Sequence, residues 1–218
     1  MAKPEYSIAD ISKSEAAGVL LNWHYLSVMK LSKGFKSGIN MGLFHGGKSF
    51  GCGAFGAELV GACVFTGLPV PELSESIFGL ERDDQDGLYE LSRLCINPAF
   101  QKTEHNLASW FVSRCLKEMK RRGARAILSY ADSGFHAGTV YAAANFSFYG
   151  ETDPKKDFWV RHGGSFVKHS RGKVAGVDGE WRDRSGKLRF LKVFDKSLKV
   201  RWDEEKWSNS KNHEARII

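Results

Sequence analysis

Residues Leu88 to Asp132 constrain the fold more than any other stretch of the chain. Leu88-Tyr89-Glu90-Leu91-Ser92-Arg93-Leu94-Cys95-Ile96-Asn97-Pro98 alternates in polarity and is closed by a proline, which predicts a strand. Regular alternation puts Leu88, Glu90, Ser92, Leu94 and Ile96 on one face and Tyr89, Leu91, Arg93 and Cys95 on the other. A polar loop then leads into a helix predicted over Glu104 to Arg122. Gly123 ends that helix, and Ala124 to Asp132 (ARAILSYAD) forms a second short apolar strand. Strand, helix, strand at this spacing is a right-handed crossover, so the two strands run parallel. Ligands of such units gather at the carboxyl ends of the strands and at the helix start, here Asn97–Asn106 and Tyr130–Tyr141.

The flanking segments supply the layers that this unit needs. Ser12-Lys13-Ser14-Glu15 is a capping box, predicting a helix that runs to about Met29 and buries Ala16, Val19, Leu20, Trp23 and Leu26. Ile39–His45, Lys48–Ala54 and Glu58–Thr66, parted by Gly46-Gly47 and Gly56, predict an antiparallel meander. Pro69 to Gly87 is an acidic, turn-rich connection with one short helix over Glu72–Phe78. After the loop Ser133–Gly138, a short helix over Val140–Ala144 leads to an edge strand at Phe146–Gly150. Further strands follow in Phe158–Lys168 and Gly179–Trp202, with Asp183-Arg184-Ser185-Gly186 read as a hairpin turn. The expected class is α/β (α+β), a central mixed sheet flanked by helices, with a catalytic core over residues 1–150. Residues 151–218 form a basic, β-rich extension.

Charge and cysteine usage narrow the partners. Of a net charge of +7, +6 falls after Gly150, and such asymmetry fits a polyanionic partner as well as a solvated tail. Lys187, Arg189, Lys192, Lys196, Lys199 and Arg201 make a basic comb, interleaved with Phe190, Phe194 and Trp202. Candidate nucleic-acid contacts are Lys33, Lys36, Arg93, Lys187, Arg189 and Lys192. Cys52, Cys63, Cys95 and Cys115 show no C-x-x-C pair and read as reduced thiols. No apolar run approaches the ~18 residues of a membrane span. The chain is expected in the cytoplasm (that of the host cell if the gene is a phage's).

The order of these elements resembles the core of a GNAT acyltransferase. That family places an acyl carrier at the splay between the two strands framing the central helix. Its carrier loop reads Q/R-x-x-G-x-G/A, because glycines let backbone N–H groups cradle a pyrophosphate. Here Gln101-Lys102-Thr103-Glu104-His105-Asn106-Leu107-Ala108 lacks both glycines in every register, which argues against ordinary acetyl-CoA binding. A narrower likeness is carried by Trp23-His24-Tyr25, Tyr89-Glu90-Leu91-Ser92-Arg93-Leu94, Ser129-Tyr130-Ala131-Asp132 and Gly138-Thr139-Val140-Tyr141 with Asn145-Phe146. In order over Asn22 to Gly150, these blocks resemble the Mom family of phage DNA-modification proteins. The resemblance implies a GNAT-like enzyme converting adenine in double-stranded DNA to N6-(carbamoylmethyl)adenine, which shields phage DNA from restriction. It implies functional roles for His24, Tyr25, Glu90 and Tyr141, with Asp132 a further catalytic candidate. It also implies iron, for which His24, Tyr25 and Glu90 would be the ligands.

Adenine's exocyclic amine is a weak nucleophile and is paired inside a duplex. Its modification therefore needs a base, an activated donor in line, and an everted nucleotide. The group –CH2–CO–NH2 has the atoms of a glycyl unit, so a glycyl carrier such as glycyl-tRNA is the expected donor, and tRNA a second partner. His136, between Gly134 and Gly138, reads as a solvated loop residue. Two rivals stand beside this reading: an acetyl-CoA-dependent GNAT N-acetyltransferase, and a non-catalytic DNA-binding module. The tail aromatics serve equally for base stacking or for a homodimer contact.

Overall fold

The computed structural model describes residues 3–24, 35–46, 48–50, 53–169 and 173–208, with the backbone alone for 48–50 and 53–55. The central element is a seven-stranded sheet in the order β1-β2-β5-β6-β7-β12-β8. Its strands are β1 (Tyr6–Asp10), β2 (Ile39–His45), β5 (Glu58–Gly67), β6 (Leu88–Ile96), β7 (Ala126–Asp132), β8 (Ser147–Glu151) and β12 (Lys187–Val193). The β6–β7 pair is parallel, and the other neighbours are antiparallel. The crossover expected from Leu88–Asp132 is therefore present. A short hairpin, β3 (Lys48–Phe50) with β4 (Gly53–Phe55), interrupts the meander as a sheet of its own, so β2 pairs directly with β5.

Among the described residues, five helices cover the two faces. The capping box forms as read: the Ser12 side chain accepts from the Glu15 amide and the Glu15 carboxylate from the Ser12 amide, starting α1 (Lys13–Trp23). α1 packs Ala16, Val19 and Leu20 on Ala62, Val64 and Cys95, and α2 (Glu72–Phe78) packs Ile77 and Phe78 on Leu88, Leu128 and Leu191 of the same face. The remaining three are α3 (Pro98–Thr103), α4 (Leu107–Arg121) and α5 (Thr139–Ala143). α4 covers the opposite face with Leu107, Phe111, Val112, Cys115 and Met119, and Tyr141 of α5 joins that core.

The helix expected over Glu104–Arg122 starts at Leu107, and the separate short helix α3 lies where a polar loop was expected. Asn106 takes a left-handed conformation (φ 59°) with no side-chain cap, and α4 begins at Leu107. A missing cap costs about 1 kcal/mol. Burial of Leu107 and of Phe111 returns about 1.5–3 kcal/mol each, so core packing decides where the helix starts.

The described residues after Gly150 enter two sheets, with β12 lying between β7 and β8 of the central one. Asp183–Gly186 is not a hairpin turn. β11 (Gly179–Arg184) pairs with β9 (Lys155–His162), which also pairs with β10 (Ser165–Lys168), in a separate three-stranded sheet. Ser185-Gly186 thus carries the chain from one sheet to the other. No helix among the described residues is long and apolar enough to cross a membrane.

Gly138 holds α5 against this core. Its φ is 76°, and a Cβ there would run into the Phe190 ring. Gly138→Ala combines left-handed strain with a clash against a fully buried residue. We expect it to cost more than about 1 kcal/mol, read as a fall in the urea unfolding midpoint at constant m.

Candidate functional site

β6 and β7 are hydrogen-bonded neighbours only from Leu88↔Ala126 to Leu91↔Ser129. Beyond that they separate. β7 continues along β12 as far as Asp132, and β6 continues along β5 as far as Ile96. A register shift sits at the parting: Leu91 opposes Phe65 and Arg93 opposes Val64, leaving Ser92 as the extra residue of a bulge. Two hydroxyls secure the fork. Ser129 Oγ donates to the Leu91 carbonyl at 3.1 Å, and Ser92 Oγ donates to the Val64 carbonyl at 3.1 Å.

The bulge corrects the face assignment made from alternation. Tyr89, Leu91, Leu94 and Ile96 all pack on the α4 side, while Leu88 and Cys95 pack on the α1–α2 side. Glu90 and Arg93, expected on opposite faces, therefore share the α1–α2 face. Register with Tyr130 and Asp132 puts Arg189 and Lys187 on that face too.

The strand fork opens a cleft of about 380 Å³, within the range of small-ligand sites. One wall is Ser92–Ile96 of β6, and another is Thr139, Val140 and Tyr141 of α5. Trp23 and His24 close it at the end of α1, Pro98, Gln101 and Ala108 at the start of the helical layer, and Tyr130 and His136 beside β7. Three separate parts of the chain thus bring His24, Arg93, Tyr130, His136 and Tyr141 to one opening.

Each group has a distinct electrostatic setting. Burial, with Arg93 and His136 adding to it, pushes the His24 pKa down to about 4. Burial also lowers that of His136, against the pull of Asp132. Both imidazoles are consequently neutral near pH 7 and able to accept a proton. Burial raises the Glu90 carboxyl, opposed by Lys187, Arg93 and Lys36. Burial and the Glu90 charge push the Tyr130 phenol up to about 12, so it remains a donor. Tyr141 is buried, with ring centroids 5.3 Å from Phe190 and 5.6 Å from Phe146.

The expected site residues are not equally placed. His24 and Tyr141 line the cleft. Glu90 lies just before the bulge, half-buried on the sheet face beside it but not among the lining residues. Tyr25 and Lys33 lie outside the described residues. Asp132 is absent from the lining: its carboxylate accepts from Ser185 Oγ and from the Gly134 amide (3.1 Å), tying the loop after β7 to the start of β12. The basic comb is divided. Lys187 and Arg189 share the Glu90 face, Arg189 lying over the Trp202 ring at 4.7 Å. Lys192 points to the other face, where it donates to the Asn145 carbonyl at 2.7 Å. Among the described residues no three His, Cys, Asp or Glu side chains converge to hold a metal ion, and the expected His24, Tyr25 and Glu90 set includes Tyr25, which lies outside them.

The stretch expected to carry an acyl donor's pyrophosphate is also altered. α3 occupies Pro98–Thr103, and the Glu104 carboxylate is paired with Lys3 at 2.8 Å rather than leaving an open anion cradle.

The profile of the Mom protein family matches residues 5–206. The chain belongs to the Mom protein family. No curated protein matches it significantly. Among solved structures it is similar to the IAA acetyltransferase of Bacillus cereus, at 10% identity and a TM-score of 0.50, covering 87% of this chain and 99% of that one. It is also similar to yncA of Salmonella typhimurium, a proposed acetyltransferase in complex with its cofactor acetyl-CoA. That match has 13% identity and a TM-score of 0.51, covering 88% of this chain and 95% of that one. At such identities the likeness is one of fold: this Mom protein has the GNAT transferase architecture. The family match and that architecture agree with the resemblance read from the sequence blocks.

Two cleft residues, Tyr130 and His136, were given no role by the sequence reading. For Tyr130 a signal existed, since it belongs to the Ser129-Tyr130-Ala131-Asp132 block. His136 lay in the Tyr130–Tyr141 window where ligands were expected, but its glycine-flanked loop read as solvated, and the path of that loop brings it to the opening.

The His24 shift has a consequence for stability. In the unfolded chain the imidazole titrates near 6.5, and in the fold near 4, so the unfolded state binds more protons between these values. Its contribution is complete above pH 6.5 and is lost as pH falls toward 4. Melting temperatures of the wild type are expected to drop over that interval more steeply than those of His24→Gln. Equal slopes for the two proteins would contradict the assigned environment.

Proposed function

We propose that this Mom-family protein converts adenine in double-stranded DNA to N6-(carbamoylmethyl)adenine, protecting phage DNA from restriction. The observation that carries the proposal is the cleft at the β6–β7 fork, where His24 and Tyr141 meet in a chain of this family. The opening has the size of a small-ligand site, and an everted purine is the substrate it would admit. The aromatic edges of Trp23, Tyr130 and Tyr141 offer surfaces against which a base can rest.

His24 is the proton acceptor in this reading. The adenine amine becomes a competent nucleophile only as its proton leaves, and a neutral imidazole in the cleft can take it. Tyr130, with its phenol held protonated, donates a hydrogen bond to the developing negative charge. Glu90 stands behind Arg93 on the same face. As a carboxylate it offsets part of the positive charge that Arg93, Lys187 and Lys36 place on that face. Tyr25 retains the role that the family resemblance implies. Iron is a family expectation, but the described residues give it no ligand set, so no step is assigned to it.

The donor in this reading is a glycyl ester. N6 attacks its carbonyl as the ester bond breaks and the carrier hydroxyl leaves. The resulting N6-glycyladenine, an isomer of the product, reaches it by a rearrangement that moves N6 to the α-carbon and the amine to the carbonyl carbon. The altered stretch at α3 and Glu104 supports a carrier other than acetyl-CoA, and glycyl-tRNA is the carrier we propose. Acetyl-CoA is therefore expected to bind weakly or not at all in a titration, which separates this reading from an ordinary N-acetyltransferase.

The decisive experiment digests DNA from expressing cells to nucleosides and weighs them by mass spectrometry. Deoxyadenosine carrying one carbamoylmethyl group is expected with the wild type. We expect His24→Ala and Glu90→Gln to lower its yield by at least about a hundredfold and tenfold, in line with loss of a general base and of a balancing charge beside the cleft. Because burial penalises the Glu90 charge, Glu90→Gln should melt at the wild-type temperature or above it. A lower melting temperature would mark Glu90 as structural, and full modification by both variants would remove them from the site.

A further inference from the structure

The sheet face beside the cleft carries more positive than negative charge among the described residues. Arg93 on β6 and Lys187 on β12 share this face with Glu90, and exposed Lys36 stands just before β2. Among the described residues, none of the three forms an ion pair with a carboxylate. The nearby acids are committed or outnumbered. Asp132 already accepts from Ser185 and Gly134, leaving Glu90 to face all three. The guanidinium of Arg93 spends Nη1 on the Ser92 carbonyl at 2.5 Å, and its Nε is buried with no acceptor. Half-buried cations repel one another here: Arg184 and Arg93 both press on Lys187, which Glu90 and Asp132 relieve in part.

A buried donor without an acceptor and an excess of partly desolvated positive charge are both relieved by one added anion. Arg93 lines the cleft, so that anion lies at its mouth rather than on a remote surface. Building on the DNA-modifying reading above, we propose that Arg93, Lys187 and Lys36 form a subsite for a backbone phosphate next to the everted adenine. Arg93 supplies directed N–H donors, and the two lysines supply point charge. Eversion rotates a nucleotide about its own backbone, so its phosphate stays beside the base it carries. Fixing that phosphate fixes how deeply the adenine enters. The three residues are therefore positioning residues, distinct from cations that hold the duplex at large.

The test couples protein to DNA. The probe is a duplex with one adenine opposite an abasic site, made with ordinary linkages or with neutral methylphosphonates at the two phosphates flanking that adenine. Binding is measured by anisotropy with the wild type, Lys187→Gln and Arg93→Gln, and melting temperatures check folding. We expect the methylphosphonates to weaken wild-type binding about tenfold and to weaken binding by either variant no more than about twofold. In Lys187→Gln the slope of log K against log salt should shrink by about one. Equal losses in wild type and variants would overturn the subsite, as would an unchanged salt slope. If Arg93→Gln fails to fold, Lys187→Gln alone decides. Coupling without any modified deoxyadenosine would leave the phosphate subsite standing and defeat the assigned reaction. Modified DNA without coupling would do the reverse.

Discussion

The parting of β6 from β7 after a single pair of hydroxyl-to-carbonyl contacts is the constraint on which the site depends. Ser129 closes the last rung on Leu91, and the next residue of β6 is the bulged Ser92. Two parallel strands that stayed paired to their ends would bury every residue between them and leave no opening. The bulge bends β6 toward β5 and re-aims its side chains. Without it Arg93 would point into the α4 core, where an unpaired guanidinium would be far costlier than at the cleft. The same local defect thus creates the space and supplies its charge.

The helices make that defect tolerable. α4 fills one face with an unbroken apolar stripe, and Phe111, Val112, Cys115 and Met119 are fully buried on it. Packing of that quality lets the opposite face hold Glu90, Arg93, Tyr130 and Lys187 without loss of the fold. These polar residues share the face on which α1 and α2 bury their own clusters, with Tyr130 packed at the edge of the second.

Much of the frame was legible in the sequence because its signals are local. The Ser12–Glu15 box, the Glu72–Phe78 helix and the β6–α4–β7 crossover depend on residues close together along the chain. The bulge was not legible: Ser92 fits an alternating strand as well as a bulge, and only pairing with Val64 and Phe65 distinguishes them. Asn106 gave no sign of the later start of α4, since the tertiary burial of Leu107 and Phe111 sets it. The comb of cations looked like one surface because a linear count ignores which face each residue takes. Lys187 and Arg189 are two apart and agree, while Lys192 differs in parity and lands elsewhere. His24 and Tyr141 emerged from family vocabulary, and their convergence required the fold. His136 lay in the expected window, and its place at the opening required the fold.

The insertion of β12 between β7 and β8 bears on how the protein comes into being. Its neighbours are synthesised some 40 to 60 residues before it, so both must wait, one strand's width apart, with unsatisfied backbone edges. Leu188, Phe190 and Leu191 enter last and complete the cores on both sides. Lys187 arrives with them, as does the Ser185 hydroxyl that binds Asp132 and anchors the loop bearing His136. A nascent chain therefore keeps the facing edges of β7 and β8 open until this late strand pairs with both.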